Sequence, residues 1–505
     1  LRLHPGDLLV LKLKNELPND KLVVGGADYR RDGHAALAFC ANAAMSAAST
    51  NLHFHGLMIP PACHQDDVLR TAIDPGSASY EYRLRIPPTQ PPGLYWYHPH
   101  PHGHSEEQVL GGASGALIVE GIERFIGPLA GLPERLLVIR DQIRQSSARE
   151  VGPKPPSKDL SVNFVPVPYP EYPPALIRVR PSQRELWRLL NASADTFLEL
   201  HLLTNGNWQS MGLVAIDGVP LGYEAIDQRK ERDATPQVQW TLSIPIPPGG
   251  RAEFIFDSPA KGQTQLLTAG VDTVPFADED DPAGATATGG NAVIRDDDDF
   301  TPARWLVTIV ATPDAPAPTA TLPTVSLSEK SEAKGKALPL LLSVRPTRQR
   351  KLYFSEQVLD SKNPRTSTVF YLTEEGQKPT PFNPAAAPNI TVHQGDVEDW
   401  VLENRSQEAH TFHIHQSHFV LLERNRSAVH ENYLRDTVAI PYWDGVSPHY
   451  PRTKLRMDFR NPDIVGTFPY HCHILQHEDG GMMGSIQVLK PVATKSAFKT
   501  KAAAK

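Results

Sequence analysis

Cysteine is scarce in this chain, with three among 505 residues, at Cys40, Cys63 and Cys472. So few thiols exclude a small scaffold held by disulfides and leave the burial of apolar surface to hold the fold. Long apolar runs are missing too, since none approaches the roughly 18 residues that span a bilayer as a helix. Charge of one sign is not in excess: a net charge of -7 is mild and gives no reason to expect a nucleic-acid partner. Methionine is down to six residues, without a cluster. The chain opens on Leu1, already inside the strand-like LRLHPGDLLVLKL, which suits a processed or trimmed chain. The missing leader therefore says nothing about compartment.

What is abundant is turn chemistry. The 48 prolines and 34 glycines are spread throughout, which suits a turn-rich all-β protein better than a helical one. The length exceeds what one core holds, so two to four domains are expected. One strong charge block, ADEDDPAG followed by IRDDDDF over 277–300, reads as a solvated acidic loop. TPDAPAPTATLPTVSLSEKSEAKGKALP, 312–339, reads as a semi-rigid linker, and TKSAFKTKAAAK at the end as a mobile tail.

Three stretches share one template of alternating residues, a turn with Gly or Ser, further alternation, and a closing Asn. They are LRLHPGDLLVLKLKN ending at Asn15, IRVRPSQRELWRLLN ending at Asn191 and ITVHQGDVEDWVLEN ending at Asn404. Each reads as a hairpin of two short strands. Nine and eleven residues past Asn404 stand His413 and His415, and the same offsets after Asn191 hold Leu200 and Leu202. The first copy reaches its own pair, His53 and His55, after a longer insertion. Three related β-sandwich domains follow, spanning 1–125, 126–325 and 326–505, with metal-competent pairs in the outer two and an apolar middle.

The 20 histidines concentrate in HFHG (53–56), YHPHPHGH (97–104), HTFHIHQSH (410–418) and HCHILQH (471–477). Residues two apart in a strand face the same way, so each HxH pair directs both imidazoles into one space. A single such pair is ordinarily solvent-facing or hydrogen-bonded. Four pairs, one enclosing a cysteine, would leave many buried donors in need of partners without a metal. Imidazole suits copper, zinc, iron and nickel, whereas one thiolate, two imidazoles and a weak methionine form the blue-copper set. Cys472, His477 and Met482 supply three members of that set, and His410 is the candidate for the fourth.

HFHG, WYHPH, HTFHIH and HCHILQHEDGGM resemble the four copper signatures of the multicopper oxidases, the laccase-like blue oxidases, with wording closer to the bacterial type. The resemblance runs in order across nearly the whole chain. It implies three consecutive cupredoxin-like Greek-key β-sandwiches and four copper ions. His410, Cys472 and His477 would hold the type 1 copper with Met482 as axial ligand, and His53 and His413 the type 2 copper. The type 3 pair would fall to His55, His98 and His473 on one ion and His100, His415 and His471 on the other. Glu478 matches the family's proton-relay carboxylate. Asp66 falls near the position of a second acid, with Asp67 as the neighbour that could hold the role instead. A periplasmic or secreted location is the family's expectation.

Alternatives remain inside the motifs. His100 and His102 form a shifted pair, Met483 competes with Met482, and His418 and His64 lie near ligands. Cys40 and Cys63 flank HFHG and fit either a disulfide or two buried thiols. Sequons at Asn191, Asn389, Asn404 and Asn425 are common by chance. Among reactions, the resemblance implies one-electron oxidation of phenols or aromatic amines at an exposed edge of His477, coupled to reduction of O2 to water. Relatives take Fe(II), Mn(II) or Cu(I), and a metal-ion oxidase would want carboxylates beside the type 1 site. The acidic 277–299 stretch is one source of them, whereas the paucity of methionine argues against a methionine-rich Cu(I) insert. A copper nitrite reductase would lack the eight cluster histidines, and a non-catalytic copper carrier would leave them idle.

Overall fold

The computed structural model describes residues 1–18, 39–40, 45–144, 156–223, 238–274, 300–318, 320–324, 340–360, 367–431 and 433–491. The acidic stretch, much of the proline-rich stretch and the Lys/Ala-rich tail lie outside the described residues. The chain is all-β, in consecutive cupredoxin-like Greek-key sandwiches. Its described α-helices are short, Ser105–Leu110 and Leu475–Asp479. Among the described residues no helix is long and apolar enough to cross a membrane.

Three separate cores account for the sandwiches. Phe54, Tyr82, Leu84 and Leu117 fill the first. Trp187, Phe254, Leu200 and Leu202 fill the second, and Trp400, Phe412, Tyr470 and Met482 the third. Leu200 and Leu202, at the offsets that carry histidines in the last copy, are packing residues of the strand Leu198–Thr204.

The three template copies fold alike, but not as hairpins. In each, the two strands belong to different sheets, and the turn between them switches from one sheet to the other. Arg2–Leu3 pairs in parallel with Gly115–Val119, Ala175–Val179 with Arg304–Ala311, and Ile390–His393 with Met483–Leu489. The first strand of each copy thus closes against a strand far along the chain. The switch turn needs a left-handed residue, with Gly6 at φ 95°, Ser182 at φ 54° and Gly395 at φ 107°. Glycine meets that demand without steric cost, which explains Gly6 and Gly395, whereas Ser182 adopts the same conformation with its Cβ in place.

The closing asparagines do one job three times. Asn15 Nδ2 donates to the carbonyls of Ala48 and Ile73, at 2.7 and 2.6 Å. Asn191 Nδ2 donates to Thr196 and Ile246, at 2.8 and 3.1 Å. Asn404 Nδ2 donates to Glu408 and Pro441, at 2.6 and 3.1 Å. Each also accepts a backbone N–H two residues on, from Leu17, Ser193 and Ser406. All three are buried, where a lost partner would leave carbonyls unpaired. The second and third copies share more: Trp187 Nε1 donates to Glu185 and Trp400 Nε1 to Glu398, each at 2.9 Å. Arg135 and Arg350 then grip those two carboxylates.

Candidate metal centre

Cys472 ends the strand Gly466–Cys472, which pairs antiparallel with His410–Ile414 so that Phe412 faces Cys472 and His413 faces His471. Strand alternation sends the Cys472 sulfur one way and its flanking imidazoles the other. On the sulfur's side, His410 Nδ1 and His477 Nδ1 each lie 3.8 Å from Cys472 Sγ and 3.2 Å from one another. The outer nitrogens are engaged: His410 Nε2 lies 2.7 Å from Ser406 Oγ, and His477 Nε2 lies 3.0 Å from Glu408 Oε1. Those partners hold the ring hydrogens outward and turn both Nδ1 lone pairs towards the sulfur. Phe354 stacks on His410 and Phe370 on His477. Met482 is fully buried beside them, its N–H donating to the His477 carbonyl and its own carbonyl accepting from the Cys472 N–H.

On the other side, eight imidazoles converge from the first and last sandwiches. His53, His55 and His413 form one close group, His55, His98 and His473 a second, and His100, His415 and His471 a third, each with ligand atoms within 4.8 Å. His53 Nε2 and His413 Nε2 stand 3.4 Å apart, and His415 Nε2 and His471 Nε2 3.1 Å. His53 also groups with Asp66 and His415. His102 joins none of these groups; its ring packs on Phe382. His64 stacks on Tyr80, and His418 is buried 3.8 Å from Asp436. Met483 pairs with His471 across the sheet. Cys40 and Cys63 form a disulfide. Asn191 and Asn404 are buried, which removes two of the four sequons from glycosylation of the folded chain.

The electrostatics suit a cation. Burial drives His53, His55, His410, His413, His415 and His473 well below the usual imidazole range, and takes His98 to about 3 and His100 to about 4. These rings are therefore neutral at pH 7, the form that can bind a metal. His55 Nδ1, His98 Nε2, His415 Nδ1 and both nitrogens of His473 are buried without a hydrogen-bond partner. Facing lone pairs and orphaned nitrogens are costly in a dry interior unless a metal takes them. The donor set of imidazoles, one thiol and a thioether is that of copper.

Carboxylates surround the imidazoles. Asp66 accepts from His53 Nδ1 at 2.9 Å, from the Phe54 N–H at 3.0 Å and from Gln416. Burial pushes Asp66 up to about 7. Asp67 is buried beside Arg70 and is likewise pushed up, to about 6. Glu478 Oε2 lies 3.0 Å from His471 Nδ1, and its Oε1 accepts from Ser105 Oγ at 2.8 Å and lies 3.4 Å from His100 Nε2. Burial opposes its charge, but His100, His471 and His473 hold the carboxyl below its usual range.

One expectation is corrected. His477 presents no exposed edge: the residue is 2% accessible, roofed by Phe370 and by Glu408, whose side chain is 11% accessible. Behind Glu408 stands buried Glu356, pushed well above the usual carboxyl range by burial and by Glu408 itself. Sequence reading also passed over Ser406, Glu408 and Asp436. HTFHIH pointed to none of them, because their partners are set by folding rather than by spacing.

A sandwich fold with a buried thiol–imidazole site next to an eight-histidine cluster defines a copper redox protein. Two family models, both described as multicopper oxidase, match residues 31–124 and 359–492. The multicopper oxidase mco of Staphylococcus aureus is 25% identical over 447 residues, covering 88% of this chain and 77% of that protein. The iron transport multicopper oxidase FET3 of Candida albicans is 23% identical, covering 86% of this chain and 67% of that protein. Among solved structures, a metallo-oxidase from Campylobacter jejuni aligns over 97% of this chain and 84% of its own, with TM-score 0.60 and 22% identity. A laccase-like enzyme from Ochrobactrum sp. aligns over 97% and 89%, with TM-score 0.60 and 20% identity. The chain belongs to the multicopper oxidase family and is an oxidase.

Proposed function

We propose that this oxidase couples four one-electron oxidations of a phenolic or aromatic donor to reduction of one O2 to two waters. Four copper ions are assigned. His410, Cys472, His477 and Met482 would hold the type 1 ion, and His53 and His413 the type 2 ion. His55, His98 and His473, with His100, His415 and His471, would hold the type 3 pair. Bound copper would supply the one-electron chemistry and the reduction of O2. The observation that carries this reading is the split of one tripeptide, with the Cys472 sulfur facing His410 and His477 and its flanking imidazoles entering the other cluster. Asp66, pushed up to about 7, would hold a proton beside that cluster, and the ionised Glu478 would accept protons and pass them on, where four are consumed per O2. We further propose units divided near residues 125 and 325, and a periplasmic or secreted location, supported by the Cys40–Cys63 disulfide.

Glu408 favours a second reading. A carboxylate against His477, backed by Glu356, suits a reduced metal ion as donor as well as it suits taking a phenol's proton. Oxygen uptake with a panel of phenols and with Fe(II), Mn(II) and Cu(I), for the parent and Glu408→Gln, separates the two. On the phenol reading phenols drive uptake, and the variant loses about 100-fold in kcat with them. Uptake driven by a metal ion alone, with the variant raising KM for that ion, would install the second reading.

A further inference from the structure

Two carboxylates beside the cluster were named from the sequence, and the structure holds a third. Asp436 lies in LRDTVAI, one residue before the strand Thr437–Ile440, fully buried. Its Oδ1 is 3.1 Å from His55 Nε2, and its carbonyl accepts from His413 Nδ1 at 2.9 Å. Since Nε2 of His55 is turned to Asp436, the orphaned Nδ1 is the atom left for a metal.

Asp436 is held from the sandwich that carries no ligands. Arg251 Nη1 and Nη2 grip its two oxygens at 2.7 and 2.6 Å. Arg251 also donates to the carbonyls of Leu94 in the first sandwich and of Asp217 and Gly249 in the middle one. Asp217 accepts from the backbone N–H groups of Arg251, Asp436 and Thr437. Two glycines make the approach possible. A Cβ on Gly56, the glycine of HFHG, would lie 2.5 Å from Arg251 Nη2 and 2.6 Å from Asp436 Oδ2. A Cβ on Gly249 would lie 2.7 Å from His473 Nε2.

We propose that Asp436, clamped by Arg251 of the middle sandwich, is a positioning residue that fixes the rings of His55 and His413 for the type 3 and type 2 sites. The middle sandwich, which lacks ligands, is thereby a working wall of the cluster. The inference rests on the copper assignment above. Partners of this kind, bonded to a ligand's far nitrogen, are worth about 10- to 100-fold in metal affinity or activity when lost.

The test uses the copper-loaded protein. Removing one charge alone would strand the other in the interior, so both are replaced by apolar groups of similar size, Asp436→Leu with Arg251→Met. The readouts are copper per chain, the ratio of the ultraviolet shoulder of the coupled pair to the blue band, and thermal unfolding of the copper-free chain. The double variant is expected to fold, keep its blue band, lose most of the shoulder and lower oxygen uptake by about 10- to 100-fold. Asp436→Asn with Arg251→Gln restores an acceptor to His55 and should recover the shoulder. An unchanged shoulder-to-blue ratio in the Leu/Met variant would overturn the inference, as would equal loss of shoulder and blue band in both variants. A parent protein with no shoulder would instead overturn the copper assignment itself.

Discussion

At the residue, the chemistry turns on a thiol that the fold keeps protonated. Burial pushes the Cys472 thiol up from its ordinary range, and burial drives the His410 imidazole well below its own, so that ring is neutral at pH 7. The sign follows directly: below the raised thiol value the copper-free site carries a proton, and a metal that binds sulfur must displace it. Copper uptake at pH 8 by the cysteine site should therefore release one proton, measured by calorimetry in buffers of different ionisation enthalpy. Cys472→Ser should release one fewer. At the acid end, burial takes the His100 imidazole down to about 4, so copper should survive dialysis at pH 6 and be shed only as the pH falls below about 4, where protons begin to compete for that ring. The convergence of the histidines was legible because two-residue spacing in a strand fixes a common face whatever the rest of the chain does. Asp436 and Glu408 were not, because nothing local marks them: Asp436 meets His55 across 381 positions of sequence.

At the level of elements, the template repeated three times was legible down to its Gly or Ser and its closing Asn. Its hairpin reading was wrong for a physical reason. Alternation on either side of a turn says that two strands exist, but not whether they pair. Here a left-handed residue at Gly6, Ser182 and Gly395 sends the second strand into the facing sheet. The asparagines lock that corner. Asn191→Ala would leave two buried carbonyls unpaired in the sandwich without ligands, at about 2–3 kcal/mol of stability in denaturant unfolding. Its blue band should not move. Asn404→Ala should cost a similar amount and also disturb the spectrum, because Asn404 holds Ser406, which stands on His410.

Across the whole molecule, the sandwich lacking ligands is joined to the outer two by buried charge. Arg188 pairs with Glu134 and Glu253, and Glu253 accepts from the Leu94 N–H of the first sandwich. Arg251 pairs with Asp436 of the last. Single losses at such pairs cost about 3–5 kcal/mol, since they strand a charge. The central claim is that Cys472 serves one metal site while the histidines on either side serve another. Cys472→Ser, loaded with copper and examined by metal analysis and absorption, tests that claim most directly. The account predicts about three coppers per chain against four in the parent, no blue band, a preserved ultraviolet shoulder and no turnover with any donor. A variant that keeps its blue band or oxidises donors at the parent rate would contradict it.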